Sequence, residues 1–186
     1  MDSLNIGIDA WIIQDGNYGD FSVGQEAQFA LEFYPHSLKS SNCESPSAVL
    51  LKATRYQVCG QVVYRTDGLW VLDMGLLAYQ EGQPPRDVTK GSWVEGEIHL
   101  GVDPFMYFEY LKDMSGIPAM TYGFRVEQIL LETTPWLAKS DESGRTMMVR
   151  DERNESYRDV METNAWSDDN GHASYVLKCV PIGGRI

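Results

Sequence analysis

The feature that most constrains this chain is a series of segments in which apolar residues occupy every second position. Residues 56–64 show this alternation, turn at Asp67-Gly68 and return through residues 69–74. Residues 92–100 repeat the pattern further along the chain. A period of two is the period of a half-buried β-strand. The sequence therefore predicts a mainly β protein with antiparallel strands.

Strands are also predicted on both sides of this central block. An N-terminal strand pair is expected over residues 5–13 and 25–34, where apolar residues again alternate with polar ones. A C-terminal hairpin is expected from residues 157–166 and 173–180, which flank an Asp-Asp-Asn-Gly turn sequence. The chain contains no internal repeat and no apolar run of membrane-spanning length.

Two connecting segments have a distinct composition. Residues 36–48 are rich in serine and are predicted to form a long mobile loop. Asp103 can cap a helix and Pro104 suits its first position, so one short helix is expected there. The whole chain, residues 1–186, is interpreted as a single domain with a barrel-like core at about 50–135.

Glycines inside the central strands give the core a resemblance to a known barrel. The matching patterns are Val58-x-Gly60-x-Val62, Trp70-Val71-Leu72-Asp73-x-Gly75, Val94-x-Gly96-x-Ile98 and a closing Phe124-x-Val126-x-x-Ile129. A glycine lets a strand bend sharply in a small barrel. The central block resembles an OB-fold barrel in these features. It departs from the common OB arrangement at Pro84-Pro85, where a loop replaces a helix, so another small barrel or a sandwich remains an alternative.

Charge and cysteine content bound the classes of partner and the compartment. The chain has 27 acidic and 15 basic residues, a net charge of −12. Such a field repels phosphate backbones and favours a basic protein partner. The chain starts without the basic and apolar regions of a signal peptide. Because Cys43, Cys59 and Cys179 have no short spacing, three free thiols in a cytoplasmic protein are expected.

One predicted strand carries a row of candidate site residues. On residues 92–100, alternation places Trp93, Glu95, Glu97 and His99 on the face opposite Val94, Gly96, Ile98 and Leu100. Two carboxylates and an imidazole, with Asp73 as a further acid, could perform acid–base chemistry in a concave pocket. On a flat face the same row is the wet side of a sheet or a binding surface.

A second candidate is the aromatic segment that follows. Phe105, Tyr107 and Phe108 lie in a dense apolar cluster that would cover nearly all sides of a short helix. Such a helix can plug the open end of the barrel, or it can form an exposed patch for a partner or for self-association. We favour the buried plug, because so many exposed apolar side chains on a soluble monomer would promote association.

No motif points to a particular reaction. The sequence lacks nucleophile-elbow, Walker and dinucleotide fingerprints. His36, His99 and His172 have no metal-ligand spacing, so neither a metal nor a cofactor is expected. The function predicted from the sequence is an acidic, non-enzymatic binding protein with a protein partner, a description that immunity-type inhibitors fit. The alternatives are a small-ligand protein or hydrolase that uses Glu95, Glu97 and His99, and a single-stranded nucleic-acid-binding OB protein, which would need a basic groove.

Overall fold

The computed structural model describes residues 3–140 and 144–183, and strands dominate both ranges. One short α-helix, one π-helical turn at Tyr107–Leu111 and two 3-10 turns at Glu152–Asn154 and Asp168–Gly171 accompany them. The fold is mainly β, as the alternation predicts. The strands are β1 Leu4–Asp9, β2 Glu26–Phe29, β3 Leu31–Ser41, β4 Ser47–Lys52, β5 Arg55–Thr66, β6 Leu69–Asp73, β7 Leu77–Glu81, β8 Trp93–Val102, β9 Tyr122–Glu132, β10 Trp136–Ser140, β11 Thr146–Arg150, β12 Tyr157–Val160 and β13 Ser174–Pro181; α1 is Ala10–Gln14.

Five strands close into a small barrel, in the order β5-β6-β7-β3-β8 and back to β5. Four of the five contacts are antiparallel, and the β3–β7 contact is parallel, so the barrel is mixed. This closed ring confirms the prediction that the central part of the chain forms a small β-barrel. The closing strand, however, is β3, which precedes the other four in the chain, and not the predicted segment around Phe124. Phe124 belongs to β9, outside the barrel.

Most of the remaining large-sheet strands extend the barrel from β8, while β4 pairs with β5. From β8 the sheet continues through β1, β13, β9 and β12, and β2 also pairs with β9. This extension is here called the side sheet. One buried apolar cluster joins the barrel interior, with Trp70 and Val94, to side-sheet residues such as Ile6 and Leu177. The barrel and the side sheet therefore share a continuous core.

The expected terminal strand pairs are arranged differently. β9 lies between β12 and β13, so the predicted C-terminal hairpin is instead two strands on opposite edges of a third. At the N-terminus, β1 ends at Asp9 and α1 follows, because Ala10 and Ile13 bury one helical face. The second predicted strand is divided at Ala30: β2 joins the side sheet, and β3 joins the barrel.

Residues 36–48 are not a continuous loop, which corrects the sequence prediction. β3 continues to Ser41 as an exposed strand paired with β8, and β4 starts at Ser47. Backbone hydrogen bonds to a neighbouring strand can hold serine-rich chain in a sheet, and composition does not report them. Cys43, between these strands, forms a disulfide with Cys59 of β5. The expectation of three free thiols is therefore wrong, and the cysteines no longer indicate a reducing compartment.

Gly60 occupies a position in β5 that has no room for a side chain. A Cβ atom there would lie 2.7 Å from Cγ of Leu72 and 2.9 Å from the carbonyl oxygen of Asp73. We expect Gly60→Val to lower the free energy of unfolding by about 3 kcal/mol, because the added atoms overpack the barrel wall. Urea denaturation measures this change. Gly19→Val is the control, since a Cβ atom at Gly19 would have no neighbouring atom within 4 Å; equal stability of both variants would show that the barrel wall is not tightly packed at Gly60.

Thiol titration tests the disulfide. Denatured protein without reductant should show one reactive thiol per chain, that of Cys179, and reduction should raise the count to three. In the folded protein Cys179 should be silent, because burial raises the pKa of its thiol to about 12. Three reactive thiols before reduction would show that Cys43 and Cys59 are not joined.

Candidate functional site

The predicted row on β8 faces outward but does not form one site. Ile98 and its inward neighbours are buried, while Glu95 and Glu97 lie over a shallow, open depression. Glu95 accepts a hydrogen bond from Ser41 at 2.9 Å and pairs with Lys39 at 3.2 Å. These two contacts lower the pKa of the Glu95 carboxyl. Both acids are thus held as ordinary paired surface carboxylates, with Glu97 lying 3.5 Å from Arg55.

The other members of the proposed acid–base set lie elsewhere. Asp73 caps a turn, where its side chain accepts the backbone N–H of Gly75 at 3.0 Å. Trp93 is half-buried at the start of β8, paired with Gln61 of β5. His99 opens into a separate cleft. The two glutamates and the imidazole therefore do not converge on a common concave site.

The aromatic segment covers the outer wall of the barrel and does not plug its end. Tyr107 and Leu111 are buried in a second apolar cluster with residues of β6 and β7, including Val71 and Tyr79. Phe108 packs at the margin of this cluster and is half-buried. The side chains of β6 and β7 that point out of the barrel are themselves apolar, so they need such a cover. The segment therefore buries Tyr107 and Leu111, but against the outer wall of the barrel and not over its open end as predicted.

The buried carboxyl group of Asp103 holds the start of this segment. One carboxyl oxygen accepts the backbone N–H of Tyr107 at 3.0 Å and the phenolic hydroxyl of Tyr79 at 2.5 Å. Asp103 is fully buried, and loss of hydration raises the pKa of its carboxyl. The sequence prediction that Asp103 starts a short helix is close, since the π-helical turn begins a few residues later. Phe105 lies between them with a left-handed φ of 74°.

A pair of substitutions tests whether this segment is a structural cover. Leu111→Ala should lower the free energy of unfolding by about 2–4 kcal/mol, because it leaves a cavity over the barrel wall. Tyr110→Ala, one residue away, should change it by about 0.5 kcal/mol or less, since Tyr110 is 65% exposed. Denaturant melts of both variants give the comparison. A stable Leu111→Ala protein that has lost self-association would instead indicate an interface.

A cleft of about 520 Å³ opens where the barrel and the side sheet part. Along one edge of β8, residues 93–99 pair with β5, and Gly101 pairs with Gly7 of β1. Because β5 and β1 leave the same edge in different directions, a space forms between them. Gly7 and Gly101 line this space; Cβ atoms on them would lie 3.3 Å from Thr54 and Tyr34 respectively. The cleft thus depends on two positions without side chains.

Charged and aromatic side chains line the cleft on its barrel side and on its side-sheet side. The barrel contributes Tyr34, His36, Arg55 and His99, and the adjoining strand β4 contributes Lys52. The side sheet contributes Asp9, Glu132, Tyr157 and Tyr175, and the segment between β9 and β12 contributes Arg150 and Glu155. Lys52 and Glu155 form an ion pair between the β4 end and the segment before β12. Of the predicted site residues only His99 lines this cleft; sequence reasoning missed the others, because they come from widely separated segments with no common motif.

Arg150 fixes a two-stranded ribbon, β10–β11, beside the cleft. Its guanidinium lies 3.9 Å above the Trp136 ring, pairs with Asp169 at 2.6 Å and donates to the carbonyl of Thr134 at 2.7 Å. The Trp136 indole N–H donates to the same Asp169 carboxylate at 2.9 Å. These contacts tie the base of the ribbon to the turn before β13.

The ribbon and strand β4 expose most of their apolar side chains. On the ribbon Leu137 is 47%, Met147 48% and Met148 56% exposed. On β4 Val49 is 59% and Leu50 45% exposed. Both elements end at the cleft, through Arg150 and Lys52. Seven of the exposed large hydrophobic residues lie on these three strands: Val49, Leu50, Leu51, Trp136, Leu137, Met147 and Met148.

Comparisons with known proteins add no family assignment. A scan against protein-family models and searches of the curated proteins and of the solved structures find no match to this chain. Within the described residues, no helix is long and apolar enough to cross a membrane. No group of three or more His, Cys, Asp or Glu residues in the same ranges is placed to hold a metal ion.

Proposed function

We propose that this chain is a non-enzymatic binding protein whose ligand is another protein, docked on the β10–β11 ribbon and on β4. The observation that carries the proposal is the exposure of large apolar side chains on both elements. Contiguous exposed apolar surface on a folded protein is typical of a docking site. The glutamates of β8 do not meet His99 in one pocket, so a hydrolase that uses those three residues has no geometric support.

The ribbon is built like a recognition element. Directly paired residues share a face, so Ala138 and Met148 lie on one face, while Leu137 and Val149 lie on the other. Each face therefore carries apolar groups, and neither is buried against the body of the protein. Both strands pair only with each other among the described residues, which leaves two free edges. A partner can bury a face or add a strand to an edge.

Strand β4 offers a second edge. It is the last strand in the order of the large sheet and pairs with β5 alone among the described strands. Edge strands of folded proteins are commonly protected by charge, proline or short length, and β4 has apolar residues from Val49 to Leu51 at its centre. The Cys43–Cys59 disulfide holds the chain that leads into this strand. The edge is therefore fixed in place and ready for pairing.

Charge indicates which partner suits these surfaces. A chain with a net charge of −12 attracts basic proteins over long range and repels a second copy of itself. We therefore propose a basic protein with an apolar docking face. An immunity-type protein that neutralises a basic toxic enzyme has these properties. A homo-oligomer formed through β4 is the competing arrangement.

A capture experiment with ribbon variants tests the proposal. The tagged protein is incubated with lysate of its native cells at low and high salt, and retained proteins are identified by mass spectrometry. The double variant Leu137→Ser, Met147→Ser removes exposed apolar groups from the ribbon without affecting the core. It should lose the partner, while Met161→Ser, which is 72% exposed elsewhere, should retain it. The partner should be basic and should dissociate at high salt.

Three outcomes would contradict the proposal. One is retention of the same proteins by the double variant. Another is the absence of any salt-sensitive partner at low ionic strength. The third is a concentration-dependent dimer in light scattering that the double variant abolishes, since this would assign the ribbon to self-association. If the captured partner is a toxic enzyme, equimolar addition of this protein should inhibit it.

A further inference from the structure

The barrel wall of the cleft carries a row of polar groups placed side by side by the strand register. Tyr34 of β3 lies opposite His99 of β8, and His99 lies opposite Arg55 of β5. Arg55 in turn lies opposite Lys52 of β4. Directly opposed residues in antiparallel strands share a face with Cβ atoms about 5 Å apart. The row therefore runs without interruption across four strands.

A bulge adds a second imidazole to this row. The β3–β8 register shifts between Pro35 and Ser37, which leaves His36 without a direct partner in the ladder. Bulges redirect side chains in this way, and His36 lines the cleft together with His99. Two of the three histidines of the chain thus face one cavity.

The acidic groups around the cleft are already engaged. Asp9 accepts a hydrogen bond from the Ser174 hydroxyl at 2.7 Å. Glu155 pairs with Lys52 and also accepts the Tyr157 hydroxyl. Glu132 lies 4.0 Å from Arg150. Each of these carboxylates therefore already has a partner within the protein.

The basic groups of the row keep free donors. Arg55 contacts Glu97 only through Nε, at 3.5 Å, so its terminal nitrogens make no hydrogen bond with the described residues. The Nδ1 atom of His99 lies 3.2 Å from the Thr54 hydroxyl, which leaves Nε2 for another partner. His36 makes no hydrogen bond within the described residues. The cleft therefore presents unengaged donors of Arg55, His36 and His99, in a protein whose overall charge is strongly negative.

We propose that this cleft binds a small molecule through an anionic group, a carboxylate or a phosphate, held by Arg55, His99 and His36. Arginine and histidine donors recognise both groups through charge-assisted hydrogen bonds. The cavity of about 520 Å³ is of the size that small-molecule sites have. The tyrosines of the two walls contact the remainder of the ligand. This site is independent of the proposed protein partner, since it uses other side chains and another ligand class.

The protonation of His99 gives the binding a pH dependence. Loss of hydration, and then the charges of Arg55 and His36, lower the pKa of the His99 imidazole below its usual range. A bound anion opposes this effect, so binding should raise the pKa of His99 and should tighten as pH falls through and below the usual imidazole pKa of about 6.5. The charged and titratable groups around His99 are Tyr34 and His36 from β3, Arg55 from β5, Lys52 from β4, Glu97 on its own strand and Glu155 across the cleft.

Histidine side-chain NMR of the full chain tests the site without a known ligand. Inorganic phosphate and succinate are titrated separately, against sodium chloride at matched ionic strength. His36 and His99 ring signals should shift saturably with at least one probe, while His172, outside the cleft, should not. His36→Gln and His99→Gln assign the signals. Saturation by phosphate alone would identify a phosphoryl group, and saturation by succinate alone a carboxylate.

A matched pair of arginine variants locates the anion. Arg55→Met should weaken binding of the responding probe by about 10- to 100-fold, as loss of a charged hydrogen bond does. Arg125→Met is the control, because Arg125 also lies 3.5 Å from a glutamate but does not line the cleft. Equal shifts of all three histidines, the absence of saturation with both probes, or tighter binding of an oligonucleotide than of phosphate at the same histidines would overturn the proposal.

Discussion

The rest of the structure depends on strand β8, which belongs both to the barrel and to the sheet that extends from it. One edge of β8 pairs with β3 along its whole length, and the other edge pairs first with β5 and then, at Gly101, with β1. The barrel closes through the first part and the side sheet grows from the second. Gly96 permits the close approach of β3, since it has a φ of 145° and a Cβ there would lie 1.6 Å from the carbonyl oxygen of Ser37. The cleft exists because the two partners of β8 separate.

The outer wall of the closed barrel carries apolar side chains that must also be buried. Because the outward-facing residues of β6 and β7 are apolar, the π-helical turn must cover them. The cover brings Asp103 into the protein interior near Glu32, and burial raises the pKa of Glu32 to about 7 and that of Asp103 above its usual range. Tyr34 and Tyr79 donate hydrogen bonds to these carboxyl groups. Burial thus disfavours the charged form of both carboxyl groups, and each accepts a tyrosine hydroxyl inside the protein.

The two proposed binding surfaces differ in their charge. The chain as a whole is acidic, whereas the barrel side of the cleft carries Arg55 and two histidines next to Lys52 of β4. The apolar ribbon and β4 border this cleft, so a protein partner and a small anion would meet at neighbouring surfaces. Arg150 lines the cleft and also stacks on Trp136 at the base of the ribbon. This side chain therefore lies at the boundary of the two proposed sites.

The sequence by itself determined the strand character of the chain and the faces of individual strands. Alternation on β8 correctly placed Val94 and Ile98 inside and Glu95 and Glu97 outside, because a period of two is a local property of the pleated backbone. The glycines at 60 and 96 likewise marked positions where the barrel has no room for a side chain. Only the tertiary structure decided which strands meet: β3, and not β9, closes the barrel, and β9 separates β12 from β13. Pairing depends on backbone hydrogen bonds between distant segments, which side-chain pattern does not encode. The Cys43–Cys59 bond and the row from Tyr34 to Lys52 have the same origin, since each joins residues that only the sheet register brings together.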